Sequence, residues 1–219
     1  MTDVTEGTPR ALAEERPELL TLCGFLGYAG NLAPLPALLL ALTLAKHDLI
    51  ADTISDLGRG PHHWIMDTGF YLNAGGLLAL AIGAAHLHLG RWFWSLGILC
   101  LALLALVITL LGIWDEFHTV GSETTQLTVH TKLSFALAPL FLIGPLAMAR
   151  GAAQAARWTG TAFVVSALLW AVFATAFKLA PTGYDGILEK AAVAATLGWT
   201  LPLSHILLRR GLADARRAA

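Results

Sequence analysis

Apolar runs of about 20 residues recur six times along this chain, each long enough to cross roughly 30 Å of hydrocarbon. Inside a bilayer every backbone N–H and C=O must find its partner within the protein, which leaves helices or a closed barrel. Runs of this length and continuity are helical, so the sequence predicts an all-α integral membrane six-helix bundle. Hydrophobic residues fill 56% of the 219 positions, so one bundle uses nearly the whole chain and leaves no room for a second domain. The expected spans cover 19–45, 67–88, 93–114, 130–149, 158–180 and 187–208. They divide the chain into an N-terminal tail (1–18), a six-span domain (19–208) and a basic C-terminal tail (209–219).

Local signals refine this layout. Residues 1–18 are polar and lack the order of basic start, apolar stretch and small-residue cleavage site that marks a signal peptide, so they read as a tail or an interfacial helix. In the first span, Gly24, Gly27 and Gly30 allow close helix approach, and Pro34 and Pro36 predict a kink near its middle. Asn31 lies at that depth too and must face the bundle to find a partner. Gly90, Arg91 and Trp92 form a minimal turn, which makes spans two and three an antiparallel hairpin. Arg150 to Arg157 read as a small basic turn.

Six spans put both ends of the bundle domain on one side, and the cations indicate which. Of the 14 Lys and Arg, nine (Arg10, Arg16, Arg91, Arg150, Arg157, Arg209, Arg210, Arg216 and Arg217) lie in the two tails and the turns on their side. The positive-inside rule then makes both termini cytoplasmic. The opposite, outer end gathers all four lysines, Lys46, Lys132, Lys178 and Lys190, together with most of the acids and histidines. A net charge of −1, with no basic run interleaved with aromatics, argues against nucleic acid as a partner.

The outer end is organised around Asp52-Thr-Ile-Ser-Asp-Leu-Gly58, with two acids, a Ser and a Thr in seven residues between two spans. Ser55 and Asp56 are candidates for a nucleophile and its orienter, with His118 or His130 as base. The structural alternative is that they cap the short helix or turn before Gly58. His130, Lys132, Lys178, Glu189 and Lys190 fall in the first or last turn of a span, where ionisable groups are costly in lipid, so they should face inward and pair. Glu189 and Lys190 point about 100° apart on a helix, so Glu189 is expected to pair with Lys132 or Lys178, and Lys190 to reach the interface or Asp56. His130 and Lys132 cannot both face the centre. His130 is assigned there, because a lysine can snorkel outward and an imidazole cannot.

His62, His63, His118 and His130 are candidate metal ligands, but their spacing fits no specific template, and no metal is assigned. His86 and His88 lie at the inner end of span two and His205 at the inner end of span six; His86 and His205 do not form a matched haem pair, so the cofactor stays open. Trp64, Trp92, Trp94, Trp114 and Trp158 sit at span ends and read as an interfacial belt, while Trp170 and Trp199 read as packing. Cys23 and Cys100, both within spans, read as small buried apolar residues.

The order of a span, Asp52-Thr-Ile-Ser-Asp-Leu-Gly58, a short loop and a span with Asn73-Ala-Gly-Gly76 resembles a bacterial membrane family known as domain of unknown function 998. His130 opening span four, and Thr182-Gly-Tyr-Asp-Gly-Ile-Leu-Glu-Lys190 leading into span six, are similar to that family as well. Lys190 stands where the family pattern has Arg, which keeps a cation and loses a bidentate fork. The resemblance spans about residues 19–208 and implies a multi-pass protein of the bacterial inner membrane. The family is also distantly similar to eukaryotic six-span proteins of lipid-anchor remodelling, which implies a lipid connection by analogy.

Two functional readings follow. In the first, Asp52, Ser55, Asp56, His130, Lys132, Lys178, Glu189 and Lys190 bind a lipid head group or a protein partner within the bilayer. In the second, an intramembrane lipid hydrolase or transferase works through Asp56 and His130, with or without a metal ion. A transporter ranks third, because spans one to three do not visibly repeat in four to six.

Overall fold

The computed structural model describes residues 16–58, 62–90, 92–114, 129–181 and 183–218. The helices are α1 (Pro17–Leu32), α2 (Pro34–Leu44), α3 (Ile54–Leu57), α4 (His63–Leu87), α5 (Trp92–Trp114), α6 (Val129–Ala155), α7 (Arg157–Leu179) and α8 (Asp185–Ala218). No strand occurs among the described residues. Six units, with α1 and α2 counted as one, are long and apolar enough to cross a membrane, so this is a multi-pass membrane protein.

The first span breaks where its prolines predict. Pro34 has no N–H to give to the preceding turn. Ala33 keeps helical angles, and its N–H is shared between Ala29 O and Gly30 O before the chain restarts as α2. Glycines then let α1 and α4 touch. A Cβ on Gly30 would lie 2.6 Å from the Cα of Gly76, so the two backbones meet there without side chains between them. Asn31 is buried in this contact. Its amide donates to Gly27 O at 2.8 Å, and its carbonyl accepts from Asn73 at 3.2 Å.

Between α4 and α5 the chain reverses through His88, whose φ of 43° is left-handed, and Gly90. The hairpin expected there forms. Between α6 and α7 the expected turn over 150–157 shrinks to Ala156, because α6 runs on to Ala155. The Thr159 hydroxyl donates toward Ala152 O and Ala156 O, both at 2.7 Å, and so ties the start of α7 to the end of α6. Likewise α8 continues past Leu208 to Ala218 rather than stopping where the tail was expected.

The core holds Leu77, Leu80, Leu101, Leu104, Phe163 and Leu203, with Trp94 and Trp199 fully buried among them. Trp94 therefore leaves the interfacial belt: it is 1% exposed and donates its indole N–H to Ala84 O at 2.8 Å. Trp64, Trp92 and Trp158 remain exposed, as belt residues should be. Cys23 and Cys100 are buried and free.

The bundle has two distinct ends. At one, the backbone N–H of Arg16 donates to His86 Nε2, and Gly211 of α8 packs against Pro17 and Thr21 of α1. The start of the first span and the end of the last thus lie together. The opposite end carries α3, the start of α6 and the start of α8.

Candidate functional site

The 53–58 segment is a folded helical turn with a reciprocal cap. Thr53 accepts from the Asp56 N–H at 3.2 Å, while Asp56 Oδ2 accepts from the Thr53 N–H at 2.8 Å and from the Thr53 hydroxyl at 2.7 Å. Ile54 and Leu57 anchor this turn in a small apolar cluster with Ala41, Ile65 and Met66. Asp56 therefore has the capping role offered above as the structural alternative, and its exposed position leaves the centre of the site to its neighbour Ser55.

The start of α8 clamps this turn from one side. The Ile187 N–H donates to Ile50 O at 2.9 Å, and a Cβ on Gly186 would lie 2.9 Å from the carbonyl carbon of Ala51, so only glycine fits. Lys190 extends its ammonium to Asp52 O at 2.6 Å and to Gly186 O at 3.3 Å. It was expected to reach the interface or Asp56, and it instead ties down the backbone just before α3. Glu189 was expected to pair with Lys132 or Lys178. Its Oε2 instead accepts the Ile54 N–H at 2.5 Å, and its Oε1 accepts the Ser55 hydroxyl at 3.4 Å. The first N–H groups of a helix have no partner within it, so α3 offers a carboxylate ready donors.

His130, at the start of α6, turns inward and places Nε2 3.3 Å from Ser55 Oγ. Ser55 is thus the hub, with His130 on one side and Glu189 on the other. With Ser55 donating to Glu189, the His130 nitrogen that faces Ser55 is the one carrying hydrogen. This order is His–Ser–Glu. The order for an activated nucleophile is Ser–His–acid, with the carboxylate on the far imidazole nitrogen.

Of the remaining candidates, Lys132 is exposed, as expected. Lys178 ends α7 with its ammonium over two rings, 5.1 Å from the Phe135 centroid and 4.6 Å from that of Phe177. Asp52 accepts the Asp48 N–H at 2.7 Å and lies 3.7 Å from His47 Nδ1. Sequence reasoning did not single out His47. Its side chain is only 3% exposed, and no hydrogen bond reaches its Nε2 among the described residues. Burial pushes its pKa below the ordinary histidine value, helped by the Lys190 ammonium and opposed by Asp52, Asp56 and Asp48. Asp48, fully exposed, is held below the usual carboxylate range by the N–H groups of Ile50 and Ala51.

The metal candidates are not brought together. His63 pairs with Asp67 at 2.7 Å along α4, His62 precedes it, and His130 stands with Ser55. His118 and the rest of 115–128 lie outside the described residues, as does any contact of that loop with α3. Among the described residues, no three His, Cys, Asp or Glu side chains group as a metal site. His86 and His205 sit at the other end, on the Arg16 N–H and against the Trp158 ring.

Two cavities meet at the hub. The larger, about 600 Å³, is a cleft between α6 and α7 backed by α8. Its walls are mainly apolar, with Ala138, Leu142, Ala171 and Trp170 among them, and Phe135 and Leu179 stand exposed at its rim. The smaller, about 140 Å³, lies inside the bundle and reaches Asn31 and Asn73. Ser55, His130, Ser134 and Glu189 line both. The small residues that hollow out the cleft carry no signal in sequence, since alanine serves equally well for close helix packing.

No curated protein and no solved structure matches the chain. A family model described as "Protein of unknown function (DUF998)" matches residues 28–205, and the chain belongs to that family.

Proposed function

We propose that this protein binds a membrane amphiphile, with an acyl chain in the cleft between α6 and α7 and its polar end at Ser55, His130 and Glu189. The observation that carries this reading is the cleft itself, an apolar channel in the flank of the bundle that ends on half-buried hydrogen-bonding groups. A chain passing from the bilayer into the cleft gains little hydrophobic energy, because lipid tails are as apolar as the cleft wall. Retention must therefore come from packing and from the polar groups at the end. Those groups stand on α3, α6 and α8 and contact one another through Ser55, so they meet a ligand with little reorganisation.

By the positive-inside rule, this end faces away from the cytoplasm and both termini face into it, in the inner membrane of a bacterium. The test of the binding reading is native mass spectrometry of protein released from mild detergent. We expect a retained lipid on the wild type that is lost in Ala171→Trp, which fills the cleft. Equal retention by both would refute it.

A second reading is favoured by one distance, the 3.3 Å between Ser55 Oγ and His130 Nε2, which is within reach for proton transfer. On that reading Ser55 attacks the carbonyl of a lipid ester while Glu189 takes its proton, the C–O bond breaks as the His130 Nε2–H protonates the departing alcohol, and water then hydrolyses the acyl-serine. Turnover of a labelled lipid ester that disappears in Ser55→Ala would support it, and labelling of Ser55 by a lipid-soluble fluorophosphonate would identify the nucleophile.

A further inference from the structure

Resting on the binding reading above, we infer that Lys178 is an anion seat, so that the amphiphile held in the cleft carries a phosphate. Lys178 lines the cleft where α7 ends, and its ammonium reaches across toward Phe135 of α6. The other described lysines of this end are placed differently: Lys190 is held by two backbone carbonyls, and neither Lys46 nor Lys132 lines the cleft. Among the described residues, no carboxylate pairs with Lys178. Its contacts are ring faces, which attract a cation while leaving its N–H donors available. Hydroxyls of Ser134 and Thr175 line the same cleft and can donate to phosphate oxygens. Glu189, the acid of the site, is engaged by Ile54 and Ser55 on the α3 side, so the cation at the mouth is not neutralised by it.

The experiment measures binding to the full chain in detergent micelles, using a phosphatidylglycerol and a diacylglycerol of identical chains, with inorganic phosphate as a competitor. The wild type should prefer the phosphate-bearing lipid by about tenfold, the scale of one charge-assisted contact. Lys178→Met should remove that preference while retaining diacylglycerol binding, and Lys178→Arg should keep it. A preference that survives in Lys178→Met would overturn the assignment, as would a wild type that binds both lipids equally. Displacement of the lipid by millimolar inorganic phosphate would reassign the seat to a soluble anion. Failure of either lipid to bind, with Ala171→Trp no different from wild type, would instead refute the cleft reading itself. Thermal melting of each variant separates loss of the seat from loss of the fold.

Discussion

Glu189 shows how one side chain couples fold and site. Its two oxygens receive the Ile54 N–H and the Ser55 hydroxyl, so the carboxylate both fixes α3 and sets the direction of the Ser55 hydroxyl. Glu189→Ala leaves those donors without an acceptor and should cost about 2 kcal/mol, visible as a lowered melting temperature in detergent. Lys132→Ala removes an exposed side chain and should stay within about 0.5 kcal/mol of wild type. Equal losses for the two would contradict the hub. A second residue-scale prediction concerns His47, whose pKa is depressed by burial and by Lys190. The opened loop binds more protons than the folded one. The stabilisation is therefore complete above the ordinary histidine value of about 6.5 and is lost as pH falls through it. The hydrogen-exchange protection of residues 46–53, after correction for the intrinsic pH dependence of amide exchange, should fall on acidification in the wild type, and much less so in His47→Gln. Matching acid profiles would show that His47 has no part in it.

At the scale of elements, the glycines of α1 and α4 offer a paired test. At Gly30 an added methyl would meet the Cα and N of Gly76 at 2.6 and 2.8 Å, so the helices must part. Gly30→Ala should cost about 1–3 kcal/mol. At Gly75, one residue away from the contact, nothing lies within 4 Å, and Gly75→Ala should be neutral or stabilising by up to about 1 kcal/mol. Thermal melts of both variants check the contrast. The elements were also the most legible level in the sequence. Apolar length located six spans, Pro34 and Pro36 located the break in the first, and the density of polar groups in 53–58 implied a packed turn. The inward turn of His130 followed from comparing what an imidazole and a lysine can do at that depth. The partners were harder to read. Charge counting sought a lysine for Glu189, whereas the structure supplies the backbone N–H of Ile54, a donor that every residue except proline possesses and that no sequence pattern marks. Trp94 was misread for a related reason: its place at a span end fits a belt residue, but Ala84 O on the neighbouring helix draws its indole inward.

At the scale of the whole molecule, we propose that the polar end faces away from the cytoplasm and that the cleft beside it opens to the bilayer. Orientation is tested with cysteines introduced at Ser122 and Ala153, after replacing the buried Cys23 and Cys100. An impermeant maleimide applied to intact cells should label position 122 and spare 153, and the reverse pattern would invert the topology. The central claim is that an acyl chain occupies the space between α6 and α7. Photo-crosslinking with a diazirine placed mid-chain in a phospholipid, followed by peptide mapping, tests it most directly. Adducts should concentrate at Leu142 and Ala171, which line the cleft, with few at Leu26 or Leu99, which are exposed on other flanks. Adducts spread evenly over all exposed apolar faces would contradict it.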